Sequence, residues 1–485
     1  MIKYSIFVSV LIHFLFASIS QAKVESFFSP HEGKAGFGQV YKDIKEAKKE
    51  VLVTVYSWSA HELDKALTKA IENGADVRVV LHSPLAKKQK IKDRVKPLEE
   101  LGVRFKISSK NMHEKFVIVD GEMVMNTSGN FSYGAQNRYS ENLVFHYDDG
   151  EAHIKHLIKE FKEEFEVLWN YSKSFNTDND YLNTVSQLKK VENKIQNEFS
   201  YSNLNTFASS SMNFGASAKS RSNGSELSLK IKRGKPWAVR DMVIDQIRKA
   251  KKSIHLCLNH FFIKEIVDEI MIAMKERNVE VKFAVDNQEY KYYTSRTKEA
   301  TPYFVHLFKK AYPNKEIPVR IKFYSLAPSY HYWLLNHHKF MIIDYGTEEQ
   351  KLINGSYNFS KTAEHNQFDN LVLYEGVEYA ELIEDFMGEF ENLWGLNRKR
   401  GDKLDQDYMD YFTKPNSSGF FPLHNFKSAQ SVTWDELVKW KKSYSSKTKV
   451  SGSVAPSQKK HCKGVRAVRS GNRYNKVYSG CPAAR

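Results

Sequence analysis

Two stretches of this chain repeat one arrangement of ionisable side chains. In the first, His113-Glu114-Lys115 is followed by Asp120, then by Ser128 and Asn130; in the second, His337-His338-Lys339 is followed by Asp344 at the same offset, then by Ser356 and Asn358. Residues two apart on a strand share a face, so each stretch presents an imidazole beside an ammonium, with the following Ser and Asn facing one way. Two such faces brought together surround one tetrahedral anion with two His, two Lys and two Asn. That set suits phosphodiester cleavage with no metal and no other cofactor. One neutral imidazole attacks phosphorus, while the other, protonated, donates to the leaving oxygen. The lysines and amides hold the non-bridging oxygens. A carboxylate must fix each imidazole in its working tautomer. The candidates are Glu141, before Asn142-Leu143 in the first stretch, and Asp369, before Asn370-Leu371 at the matching place in the second.

A lone His-x-Lys pair carries little weight, because structural histidines on strands are common. Recurrence of the whole pattern, from His to the acid-Asn-Leu step, is what gives it weight. His61, His82, His146, His331 and His338 have no such partners and are read as surface or core residues. His338 alternates with His337 and Lys339, so it is expected to point away from the site.

The elements that position these residues repeat as well. Ala47-Lys48-Lys49 opens a β-rich apolar run, then apolar residues spaced by three and four, then a second apolar run; Ala250-Lys251-Lys252 opens the same succession. Each is a strand, an amphipathic helix and a strand. A further strand, the histidine strand, another strand and a closing helix follow in both copies, which predicts an α/β protein made of two similar halves. The second copy is longer, mostly over the aromatic and basic stretch from Asn287 to Tyr312, with Tyr290, Tyr292, Tyr293, Tyr303 and Phe304 as a candidate border of the site. The stretch from Phe199 to Gly224 is rich in Ser and Asn and is expected to be an exposed linker.

The expected organisation is a signal peptide at 1–22, a first half at 23–171, a linker at 172–224, a second half at 225–396 and a polar, basic extension at 397–485. The apolar run from Ile6 to Ile19 ends in Ser20-Gln21-Ala22 and falls short of the roughly 20 residues of a spanning helix. Export with cleavage after Ala22 is expected, to a periplasm or beyond the cell. Hydrophobic residues make up 41% of the 485, enough for a large core, and exclude disorder throughout. Three cysteines, Cys257, Cys462 and Cys481, are too few for a disulfide scaffold or a thiolate metal site. Cys257 fits a buried apolar run, whereas Cys462 and Cys481 bracket a basic segment where a disulfide is open to them after export.

The formal net charge is +16, and from Ser446 to Arg485 there are ten Lys or Arg and no acid. Such a tail attracts nucleic acid backbones or anionic phospholipid surfaces; a merely solvated tail is the alternative. Thr433 to Trp440 is a short helical candidate before it.

On HEKFVIVD and HHKFMIID, the two copies of His-x-Lys-(x4)-Asp, the chain resembles the phospholipase D superfamily over roughly residues 23 to 396. The resemblance implies two α/β halves packed about a pseudo-twofold axis, one active site between them, and double displacement through phosphohistidine. By analogy His113 attacks and His337 is the acid. The run GSYNFSKTAEHNQFDNLVLY looks like the small bacterial endonucleases of that superfamily, which favours nucleic acid over phospholipid as substrate. The alternatives are a lipid enzyme of phospholipase D or cardiolipin-synthase type and a non-catalytic binding protein. The first half departs from the pattern with Thr127-Ser128-Gly129-Asn130, and the second has Asp369 where Glu141 stands in the first, a shorter acid with less reach toward His337. One chain holds both half-sites, so a monomer with no stable protein partner is expected.

Overall fold

The computed structural model describes residues 24–174, 206–221, 224–286, 289, 300–323, 335–395, 430–435, 464–470 and 473–479. The expected signal peptide, Tyr290, Tyr292, Tyr293, His331, Cys462, Cys481 and most of the tail lie outside them.

In the first half, β1 (Val24–Ser29), β2 (Glu50–Val55), β3 (Asp76–Leu81), β4 (Arg104–Ile107), β6 (Phe116–Val119), β7 (Met123–Thr127), β8 (Glu141–Tyr147) and β9 (Lys173–Ser174) form one sheet; β5 (Asn111–Met112) stands apart from it. The order is β1-β8-β7-β6-β2-β3-β4-β9. β2, β3 and β4 run parallel, as the strand-helix-strand reading requires, and β6 turns antiparallel against β2. β2 is buried on both faces: Val51, Val53 and Val55 enter one apolar cluster and Leu52 another. A continuous β-branched run is the pattern of such a doubly covered strand. Between β2 and β3, helix His61–Glu72 buries Leu63, Ala66, Leu67 and Ala70 at spacings of three and four, with Glu62 and Asp64 in its first turn facing the positive end of the helix dipole.

The second half repeats this plan. Its strands are β10 (Phe207–Ser209), β13 (Ser253–Leu258), β14 (Glu280–Asp286), β15 (Val319–Phe323), β16 (Lys339–Ile343), β17 (Lys351–Gly355) and β19 (Asn370–Glu375), in the sheet order β10-β19-β17-β16-β13-β14-β15. β11 (Phe214–Arg221) and β12 (Gly224–Ile231) form a separate hairpin. β10 pairs with β19 as β1 pairs with β8. The stretch expected to be an exposed linker is therefore corrected: Phe207 to Phe214 is buried and begins the second half. Its serines are inside because Ser209 and Ser211 bond buried carboxyls and Ser210 bonds the backbone of Gln367 and Asp369, a role that composition does not reveal.

Helices Ala152–Asn170 and Ala380–Trp394 contribute Phe161, Phe165, Phe386 and Phe390 to one cluster that also holds Leu52, Phe116, Phe340 and Ile342 from both sheets. The two halves thus share a core. Their seam includes β5 paired parallel with β18 (Gln367–Phe368), and a bridge between Ser140 and Asn336. Among the described residues no helix is long and apolar enough to cross a membrane. In the extension, taken by itself, Gly464–Ser470 and Arg473–Ser479 pair antiparallel; of the helical candidate, Thr433 ends a strand and only Trp434 and Asp435 are helical among the described residues.

Candidate active site

The seam places each histidine. His113 follows β5, and its N–H donates to the carbonyl of Phe368 at 2.9 Å; His337 donates likewise to Ser140 at 2.9 Å. Phe368 and Ser140 are the residues before the two candidate acids. Each imidazole consequently meets the acid of the opposite half. His113 Nδ1 lies 2.7 Å from Asp369 Oδ1, and His337 Nδ1 lies 2.8 Å and 2.9 Å from the oxygens of Glu141. The expected reach of Asp369 toward His337 is corrected by this crossing: the shorter acid serves the other histidine.

Serines brace the acids. Ser128 Oγ donates to Glu141 at 2.7 Å and accepts the Asn142 N–H at 3.0 Å. Ser356 Oγ accepts the Asn370 N–H at 3.0 Å and bonds Asp369, which also accepts from the Gln367 amide. Burial pushes the Glu141 carboxyl up, but His337, Lys339 and Ser128 together hold it below the usual carboxylate range. Burial wins at Asp369, raising it to about 7 against the pull of Lys115. Burial drives His113 well below the ordinary imidazole value, reinforced by Lys115 and Lys339. It drives His337 down to about 3, with Glu141 offsetting part of the shift. Both imidazoles rest neutral. An ionised carboxylate accepts from Nδ1–H, which leaves Nε2 as a free lone pair.

Lys115 and Lys339 are fully buried, and each donates to the carbonyl of the histidine two residues before it. Burial lowers Lys115 to about 7, with Lys339 adding repulsion, and burial lowers Lys339 to about 8 despite Glu141 and Asp369. Asn130 and Asn358 each present a buried amide oxygen with no hydrogen-bond partner at equivalent places in the two halves. Two crowded ammonium groups suit a bound oxyanion, which relieves their repulsion; any bond from Asn130 or Asn358 to it must come from the Nδ2 donors, because an oxyanion has no proton for the amide oxygens.

Asp120 and Asp344, expected at the site, are elsewhere. Asp120 accepts the backbone N–H groups of Lys48, Lys49 and Glu50; Asp344 accepts those of Lys251, Lys252 and Ser253. Both adopt positive φ, 56° and 54°, at the far end of the histidine strand. Seven residues of extended chain put each about 20 Å from its histidine. They cap the start of β2 and of β13, and are structural.

Pattern reading passed over Tyr56 and assigned His82 to surface or core; these first residues beyond the parallel strands β2 and β3 instead border the site. The Tyr56 ring lies 4.7 Å from that of His113 and 4.5 Å from that of His82, with Lys115 Nζ 5.1 Å over its face. The signal was positional, since ligands gather at the carboxyl ends of parallel strands. The matching residues, Asn259 and Asp286, instead bond the backbone of Asn336 just before His337. His146 is buried against Tyr374, and His338 is buried away from the site with Nε2 3.2 Å from Glu389. Among the described residues no group of three His, Cys, Asp or Glu is arranged to hold a metal ion.

Comparison with known proteins gives concordant findings. The profile described as "Cardiolipin synthase, PLD-like domain" matches residues 40–169 and 243–394, one copy in each half. The mitochondrial cardiolipin hydrolase of Xenopus tropicalis is 28% identical over 142 residues, 29% of this chain and 63% of that relative. The chain thus spans under two thirds of that relative's length. The phospholipase D of Rickettsia conorii is 28% identical over 154 residues, 30% of this chain and 73% of the relative. Among solved structures, a phospholipase D family member, Nuc from Salmonella typhimurium, is 27% identical, with 32% of this chain and 98% of that one covered and a TM-score of 0.29.

Proposed function

With this chain a member of the phospholipase D superfamily, and so a phosphodiesterase, we propose that it is an exported nuclease that cleaves DNA or RNA through phosphohistidine without a metal. The observation that carries the reading is the crossed pair of His-carboxylate couples closing on two buried lysines. His113 Nε2 attacks phosphorus; the P–N bond forms as the bond to the leaving oxygen breaks, and that oxygen takes a proton from His337 Nε2. Water then attacks phosphorus, gives its proton to His337 and releases His113. His337 is neutral in the empty site, and the anionic substrate favours its charged form before the first step. Lys115, Lys339, Asn130 and Asn358 hold the non-bridging oxygens, so the positive charge comes from the chain itself.

Nucleic acid is favoured by the net charge of +16 and the ten cations after Ser446, and export by the apolar leader. A phospholipid substrate is the second reading, favoured by the names of the cardiolipin hydrolase and phospholipase D relatives. The protein is proposed to act as a monomer.

The deciding experiment incubates the mature protein, in chelator, with plasmid DNA, single-stranded DNA, RNA, and vesicles of phosphatidylcholine or cardiolipin, with His113→Ala as control. Chelator-resistant cleavage of nucleic acid that the variant lacks supports the nuclease. Headgroup release with intact nucleic acid transfers the chain to lipid chemistry. Silence on every substrate overturns both readings.

A further inference from the structure

The residue after the reacting histidine differs between the halves, Glu114 in one and His338 in the other. Both lie behind the site. His338 meets a carboxyl there, Glu389 of helix Ala380–Trp394. Glu114 also meets a carboxyl, Glu164 of helix Ala152–Asn170, and one hydroxyl, that of Ser209, reaches both acids. Both are fully buried. Ser209 Oγ lies 3.1 Å from Glu114 Oε1 and 2.9 Å from Glu164 Oε1, and accepts the Ser211 N–H at 3.1 Å. Ser211 Oγ donates to Glu164 Oε2 at 2.6 Å, while Glu114 Oε2 is buried with no bonded partner. A hydroxyl has one proton to give. It cannot donate fully to two carboxylates, so the cluster is short of one hydrogen. Two adjacent ionised carboxylates in a core cannot both persist.

The serine between them, Ser210, reaches the backbone of the acid at the site. Ser210 N–H donates to the Asp369 carbonyl at 2.9 Å, and Ser210 Oγ accepts the Asp369 N–H at 2.9 Å and donates to the Gln367 carbonyl at 2.8 Å. We propose that Glu114 and Glu164 share one proton and that this protonated pair is a positioning element for the His113–Asp369 couple, acting through Ser209 to Ser211. The proposal rests on the reading of His113 as a reacting group. Charged groups around the pair are Asp369 and Lys115 on the site side and Glu160 on the helix; Ser209 and Ser211 are the neutral donors. Burial, then the neighbouring carboxylates Glu164 and Asp369, raises Glu114 well above the ordinary range. Loss of the shared proton at alkaline pH sets a second negative charge against Asp369 and drives the serine segment outward.

Two variants of the mature protein test this. Glu114→Gln gives Glu164 a permanent amide donor. In the unfolded chain both acids ionise near pH 4.3, so wild-type stability falls as pH rises from there through the pair's raised value. Melting temperatures from pH 5 to 9 should decline more steeply for wild type than for Glu114→Gln; parallel curves would overturn the shared proton. Ser209→Ala cuts the link. It should lower kcat about tenfold with KM nearly constant, as misplacement of a reacting group does, and weaken the downfield Nδ1–H proton resonance of His113. An unchanged kcat and resonance would overturn the positioning role. If no phosphodiester is cleaved even by wild type, the functional reading fails, while the melting curves and the resonance still decide this one.

Discussion

His113 and Asp369 are 256 positions apart in the chain and 2.7 Å apart in the fold, bonded across the seam between the two halves. The reciprocal bond joins His337 to Glu141. Neither half therefore contains a complete couple. Each reacting imidazole exists in its working tautomer only when the halves are docked, which ties the chemistry to the shared core of helices Ala152–Asn170 and Ala380–Trp394.

The crossing predicts which variant disables which histidine. Asp369→Asn and Glu141→Gln should each lower kcat by about two to three orders of magnitude, the range of a lost acid-base partner. The downfield ring N–H resonance of His113 should vanish in Asp369→Asn and survive in Glu141→Gln, with the reverse for His337. An uncrossed pattern, each acid acting on the histidine of its own half, would reject the assignment.

Much of this was legible before the fold, and the illegible part has physical causes. Strand periodicity placed His113 with Lys115 and His337 with Lys339 on common faces, and repetition tied both to one site. Periodicity is a local property, however. It states which face a side chain takes and not which half's acid arrives there, so the exchange of Asp369 and Glu141 waited for the pairing of β5 with β18. The equal offsets of Asp120 and Asp344 from their histidines marked a repeated strand end, which pattern alone does not separate from a repeated site. Ser209 to Ser211 look like linker because serines normally meet water; here buried carboxyls replace it for Ser209 and Ser211, and backbone groups for Ser210.

Asp120 and Asp344 yield the opposite phenotype to the acids at the site. Asp120→Ala leaves three backbone N–H groups at the start of β2 without their acceptor. A loss of about 1–3 kcal/mol of stability follows from the unmet donors. Melting temperature should drop by several degrees, while kcat and KM measured well below the transition stay near wild type. A large loss of kcat in a folded Asp120→Ala protein would return this residue to the catalytic set.

The lysines set the alkaline limit of substrate capture. Lys115 titrates at about 7 and Lys339 at about 8 in the empty site, lowered first by burial. Only the ammonium form clamps a phosphodiester, so kcat/KM should fall as pH rises through 7 to 8. The bound anion restores their charge, and the fall in kcat should come at higher pH, because kcat/KM reports the free protein and kcat the complex. Coincident limbs, or a first limb only above pH 10 where ordinary lysines titrate, would contradict a buried lysine pair.

The tail makes a separate prediction, because ten cations without an acid act through charge density and need no fixed geometry. Deletion from Ser446 onward should weaken binding of nucleic acid at low salt and flatten the dependence of log affinity on log salt, by about one unit for each phosphate that the tail neutralises. Turnover at saturating substrate should persist, since His113, His337 and both lysines are untouched. Affinity titrations from about 50 to 300 mM salt on full-length and truncated protein give the two slopes. Equal slopes would remove the tail from substrate binding and leave it a solvated extension, with the lysines at the seam carrying recognition alone.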